Sequence, residues 1–172
     1  TSIELGAKIA RATKAAMGEL YPNEQIDEIL FWMEREGRLG RKAGAGFFNY
    51  NEKGKREGFW KGLQEKYPLS KTIPEFKDVQ HRLMFIQALE AVRALEEGVL
   101  MDIREGDVGA ILGWGFAPWS GGPLSWLDIL GTPYAAERCQ ALCETYGPRF
   151  ECPPLLADMG KNNEAFYERF SP

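Results

Sequence analysis

His81 is the only histidine in the chain, and it is the one side chain whose ordinary pKa would let it exchange a proton near neutral pH. General acid-base work also needs a partner that orients the imidazole, and no neighbour in the sequence supplies one. A packing or helix-surface histidine is therefore the expectation. Cys139, Cys143 and Cys152 form an odd set without a CxxC pair, far in sequence from His81. Zinc wants about four nitrogen or sulfur ligands at tight spacing, whereas the i, i+4 pair Cys139 and Cys143 reads as two small residues on one buried helix face. No metal site is expected. Asp102, Glu105 and Asp107 sit at a helix start, where carboxylates cap amides and favour the macrodipole. Ser120 has neither a nearby histidine nor the G-x-S-x-G setting of a hydrolase nucleophile. No catalytic residue emerges from this inventory.

Two stretches are better suited to holding a ligand than to transforming one. Arg38, Arg41 and Lys42 alternate with Gly37, Gly40, Gly44 and Gly46. Amides freed by glycine, together with those cations, can meet a phosphate such as that of a coenzyme tail; the same pattern also describes a solvated loop that ends a helix. In WGFAPWSGGPLSW, Trp114, Trp119 and Trp126 surround Gly121, Gly122 and Pro123, which describes either a slot between helices or a tightly packed corner. A G-x-G-x-x-G turn and a P-loop, the usual signatures of nucleotide binding, are both absent from the sequence.

The elements that must position these residues are helical. With 172 residues, 44% apolar and 27% charged, the chain has the composition of a globular protein of one ordinary or two small domains. Its formal charge of -4 offers no global attraction to nucleic acid or to an anionic membrane, and no apolar run approaches the ~20 residues of a membrane span. The cysteine usage points to a reducing, intracellular setting. Residue 1 is Thr and residues 2–20 already read as helix rather than as a secretory signal, so the chain is expected to be part of something longer.

Leu5, Ile9, Ala12, Ala16 and Leu20 recur at helical steps, and Ile26, Ile29, Leu30 and Met33 mark a second helix with Asn23 as its cap. Residues 37–50 read as loop followed by a short extended stretch. The Lys-, Glu-, Gly- and Pro-rich residues 51–74 place a boundary near residue 70, with Phe59 and Trp60 as anchors. A long helix is predicted from about Phe76 to Gly98, on the stripe Phe85, Ala88, Leu89, Val92, Leu95 and Val99. Shorter helices follow in REGDVGAILGWG, SWLDILG and AAERCQALCETYG and after Pro154. No segment alternates as a strand would, so the fold class is all-α. A faint internal echo pairs Tyr21, Ile29-Leu30, Met33 and Phe47-Phe48 with Tyr146, Leu155-Leu156, Met159 and Phe166-Tyr167.

GRLGRKAGAGFFNY at 37–50 and HRLMFIQALEAVRALEEGVLMDIREGDVGAILGWGFAPWSGGPLSWLD at 81–128 resemble the C-terminal region of the 3-hydroxyacyl-CoA dehydrogenase family. Their order is similar to that in multifunctional members that also carry an enoyl-CoA hydratase. The resemblance, which covers nearly the whole chain, implies two helical repeats. Residues 1–70 would be the second half of the first repeat plus a linker, that repeat being truncated at its N-terminus, and residues 71–172 would be the second repeat. It also implies that NAD and the catalytic His and Glu belong to a domain absent here, and that the first repeat's conserved Asn lies before Thr1. His81, followed by Arg82 and Leu83, then stands where the second repeat has its equivalent of that Asn. The intact enzyme would oxidise 3-hydroxyacyl-CoA in fatty-acid β-oxidation, and this stretch alone would have no turnover. Arg38, Arg41 and Lys42 become the candidate acyl-CoA-binding residues. A thiolase subunit or a second copy are the candidate protein partners. The implied location is the cytoplasm in a bacterium, with an organelle matrix or peroxisome left open.

Overall fold

A computed structural model describes residues 2–21 and 24–170. Most of them are helical, and the chain divides into two compact units, Thr1–Thr72 and Ile73–Pro172. In the first unit, α1 (Ile3–Met17) starts where the Ser2 hydroxyl accepts the Leu5 amide at 3.1 Å, and a 3-10 turn (Gly18–Leu20) leads to α2 (Glu24–Arg35). The helices form an antiparallel-type hairpin in sequence order, α1 burying Ile3, Ala7 and Ala10 and α2 burying Met33. This differs from the stripe read in the sequence: Leu5, Ile9 and Leu20 are 48%, 54% and 82% exposed. Small residues win the interface because alanines, with Gly6 beneath the Leu30 methyls, let the helix backbones approach. The proposed Asn23 cap lies outside the described residues.

The stretch expected to be loop and linker carries more order than its composition announced. A 3-10 turn (Arg41–Ala43) precedes β1 (Phe48–Tyr50), which pairs antiparallel with β2 (Arg56–Phe59) and is followed by α3 (Lys61–Lys66). Phe48 lies opposite Phe59 with rings 4.4 Å apart, and the Asn51 side chain accepts the Lys53 and Lys55 amides at 3.0 Å each, closing the hairpin turn. Trp60 stacks on Trp32 at 5.1 Å and thereby fastens the hairpin to α2. Phe59, the other expected anchor, remains 65% exposed.

The second unit is built on α4 (Phe76–Glu96), followed by α5 (Ile103–Trp114), α6 (Pro123–Leu130), α7 (Thr132–Tyr146), α8 (Pro154–Asn162) and α9 (Phe166–Arg169). The predicted stripe of α4 is buried as Phe85, Ala88, Leu89 and Val92, all fully inaccessible; Val99 falls beyond the helix and is exposed. These side chains meet Leu124, Trp126 and Leu127 of α6 and the α7–α8 pair, whose Cys139, Leu142, Leu156 and Met159 complete one core. Gly160 of α8 lies against α7 so closely that a Cβ would come within 3.0 Å of Ala136 Cβ and the Thr132 carbonyl. Among the described residues no helix is long and apolar enough to cross a membrane.

Candidate functional site

Of the three cations singled out in the sequence, Arg38 is turned into its own unit. Its Nε donates to the Gly46 carbonyl at 2.7 Å, its Nη2 donates to the Phe48 carbonyl at 3.2 Å and to Asn49 Oδ1 at 2.7 Å, and its guanidinium lies 4.4 Å from the Trp60 ring centre. A planar, forked donor suits that set of acceptors. Partial burial pulls its pKa below the usual arginine value. Arg38 thus clamps the glycine loop to the hairpin. Arg41 and Lys42 stand exposed on the single 3-10 turn between Gly40 and Gly44, with the Arg41 guanidinium over Gly54. Among the described residues neither side chain makes a hydrogen bond or ion pair, so both charged groups face solvent.

His81 is 4% exposed on α4, enclosed by the rings of Phe85, Trp126 and Tyr134 at 5.7, 6.1 and 6.2 Å. Its Nδ1 is buried without a hydrogen-bond partner. Burial, then the positive charges of Arg138 and Lys77, hold its pKa below 6.5, with Asp78 opposing. An imidazole kept neutral and packed by aromatics has no orienting carboxylate, so it is a core histidine in form.

The tryptophans do not gather. Trp126 is buried against Phe85 at 5.0 Å, whereas Trp114 and Trp119 are 64% and 65% exposed. The corner is organised instead by Asp107, a buried carboxylate that accepts the Leu124 and Ser125 amides at 2.7 and 3.0 Å, the Ser125 hydroxyl at 2.5 Å and the Tyr167 hydroxyl at 2.9 Å. Asp102 does cap its own helix, accepting the Arg104 amide. Asp107 caps α6, seventeen residues on. The same device recurs: Asp128 accepts the Phe166 and Tyr167 amides at the start of α9, and Glu96 accepts the Leu155 amide at the start of α8. Burial raises the Asp128 pKa, opposed by those two amides. Ser120 is spent locally, donating to the Ala117 carbonyl at 2.6 Å.

Other features that sequence reasoning missed lie on the second unit. An apolar groove of about 590 Å³ runs between α4 and α5, floored by Ala91, Ala94, Gly106, Gly109 and Gly113 and closed at one end by Trp114. The glycines at steps of three and four were its signal. Among the described residues, no group of three or more His, Cys, Asp or Glu is placed to hold a metal ion.

No family model matches the sequence. Among curated proteins, fatty acid oxidation complex subunit alpha of Vibrio vulnificus (strain CMCP6) is 36% identical over 171 residues, which is 96% of this chain and 23% of that protein. The proteins of the same name from Vibrio parahaemolyticus serotype O3:K6 and Vibrio cholerae serotype O1 are 35% identical over 170 residues, again 96% of this chain and 23% of theirs. The chain therefore spans about a quarter of the length of the curated relatives it matches.

Proposed function

Because this chain is a homologue, over nearly its whole length, of one stretch of the fatty acid oxidation complex alpha subunits, we propose that it is the C-terminal helical portion of an NAD-dependent 3-hydroxyacyl-CoA dehydrogenase of β-oxidation. In this reading it provides scaffold, repeat packing and part of the acyl-CoA site. The similarity to those subunits carries the proposal, and the fold supports it. Each unit contains a hairpin made of a 15-residue helix, a 3-10 turn and a second helix with a fully buried methionine: α1 and α2 with Met33, α7 and α8 with Met159. That correspondence favours two related repeats.

NAD binding wants a glycine turn between a parallel strand and a helix N-terminus. The strands among the described residues form an antiparallel hairpin, so the residues present do not fit the dinucleotide, and no step of hydride transfer is derived from them. The cofactor belongs to another part of the intact enzyme. Arg41 and Lys42 are the cations left to meet a phosphate of acyl-CoA, and Arg38 holds the loop that presents them. The chain alone should give no detectable NAD reduction with a 3-hydroxyacyl-CoA, measured as nicotinamide absorbance; turnover above background would overturn the reading.

One observation favours a second role alongside the first. The α4–α5 groove is lined by Ile86, Ala91, Ala94, Leu100 and Ala110 and by Trp114, which is 64% exposed, and apolar surfaces of that kind mark interaction sites. A thiolase subunit or a second copy of the chain would suit it. A chain that sediments as a strict monomer at high concentration would speak against self-association.

A further inference from the structure

A smaller hollow of about 300 Å³, separate from the α4–α5 groove, opens between α4 and the end of α7 and is lined by Val79, Arg82, Leu83, Ile86, Tyr146, Arg149 and Phe150. Its two halves differ in chemistry. Val79, Leu83, Ile86 and Phe150 form an apolar wall, and two guanidinium groups face it. Among the described residues, no carboxylate makes an ion pair with Arg82 or Arg149. The Arg82 guanidinium lies over the Tyr146 ring, its Cζ 4.1 Å from the ring centre. A cation held over a ring in this way is restrained before any ligand arrives, which lowers the entropy lost on binding.

The acid nearest this cluster is already answered. Asp78 accepts from Arg138 Nη2 at 2.5 Å and from the Tyr146 hydroxyl at 2.7 Å. Arg138 binds this carboxylate directly and Arg82 also lies within its field, so with Arg149 three guanidinium groups stand against one carboxylate and leave a local excess of positive charge in a chain whose formal net charge is -4. A forked cation prefers a planar or tetrahedral oxyanion, and a volume at the small end of the range for ligand sites admits only a compact body beside it.

We propose that the Arg82–Arg149 hollow is a binding site for an oxyanion, a phosphate monoester or a carboxylate, carried on a short apolar group that lies against Val79, Leu83, Ile86 and Phe150. The proposal stands apart from the acyl-CoA role, which concerns Arg41 and Lys42 in the other unit.

The test is a titration of the 172-residue chain, followed by amide NMR shifts, with hexyl phosphate, hexanoate and inorganic phosphate as separate probes. Saturable shifts centred on residues 79–86 and 146–150 are expected with at least one of the hexyl probes, and that probe should bind more tightly than inorganic phosphate. The tighter of hexyl phosphate and hexanoate identifies the headgroup. Arg149→Gln, on an exposed side chain, and Arg82→Gln should each weaken binding by about tenfold while far-UV circular dichroism stays unchanged. Failure of both hexyl probes to saturate, affinities no better than inorganic phosphate, or unchanged binding in both folded variants would overturn the proposal.

Discussion

Gly122→Ala and Asp107→Ala should each destabilise the second unit by about 3–5 kcal/mol, among the largest effects a single substitution produces. Gly122 has φ of +122°, a region that L side chains rarely adopt, and a Cβ there would fall 2.4 Å from Asp107 Cβ and Cγ and 2.5 Å from its Cα. The backbone atom cannot swing aside as a flexible side chain would, so α6 must shift and pull Leu124 and Ser125 from the carboxylate. Asp107→Ala reaches the same end by another route. It orphans two amides and two hydroxyls, one of which, on Tyr167, ties α9 to the corner. The two residues share one set of contacts, so the double variant should cost clearly less than the sum of the singles. Urea unfolding with a common slope for all variants measures this. Additive losses, or a loss below about 1 kcal/mol for either single variant, would show that the carboxylate is not the organiser of the corner.

Phe85→Ala should cost about 3–5 kcal/mol in the same assay, because a fully inaccessible ring packed edge-on to Trp126 leaves a cavity that neighbouring helices cannot collapse into. The milder Phe85→Leu carries a second readout, since one wall of the His81 enclosure is the Phe85 ring. In the parent chain the imidazole has a folded pKa below the unfolded value of 6.5, so it favours folding above that pH. As the pH falls below 6.5 the unfolded chain takes up the proton first, and stability is lost. Opening the enclosure to water should move the folded pKa back toward 6.5 and reduce this loss. His81 is the only histidine, so its proton NMR titration is read without assignment. A parent midpoint at or above 6.5 would contradict the burial argument.

Periodicity made the helices legible wherever the stripe was wide and apolar. The α4 pattern gave both its extent and the buried Phe85, Ala88, Leu89 and Val92, and the all-helical class followed from the same signal. It misled at α1, where large residues drew the eye to Leu5 and Ile9 while alanines made the contact. β1 falls in the short extended stretch read at the end of residues 37–50, but its pairing with β2 was hidden because strands of three and four residues are too short to show alternation, and the hairpin is held by Arg38, Phe48 and Trp60 across a gap in sequence. Capping was legible only when local. Ser2 and Asp102 cap their own helices, whereas α6 and α8 start at prolines whose preceding residues, Gly122 and Pro153, offer no side-chain acceptor. Their caps come from Asp107 and Glu96 on other helices, a pairing that no spacing rule encodes. The cations at Arg38, Arg41 and Lys42 were visible as a cluster, but only the fold separates the one that holds the loop from the two that face outward.

Calorimetric titration of the chain with acetyl-CoA and a longer acyl-CoA, with NAD run separately, tests most directly whether this stretch serves the substrate and leaves the cofactor to another domain. Saturable acyl-CoA binding that weakens in the Arg41→Gln, Lys42→Gln double variant is expected, with no heat of binding with NAD. Saturable binding of NAD, or acyl-CoA heats indistinguishable from dilution, would contradict that division of roles.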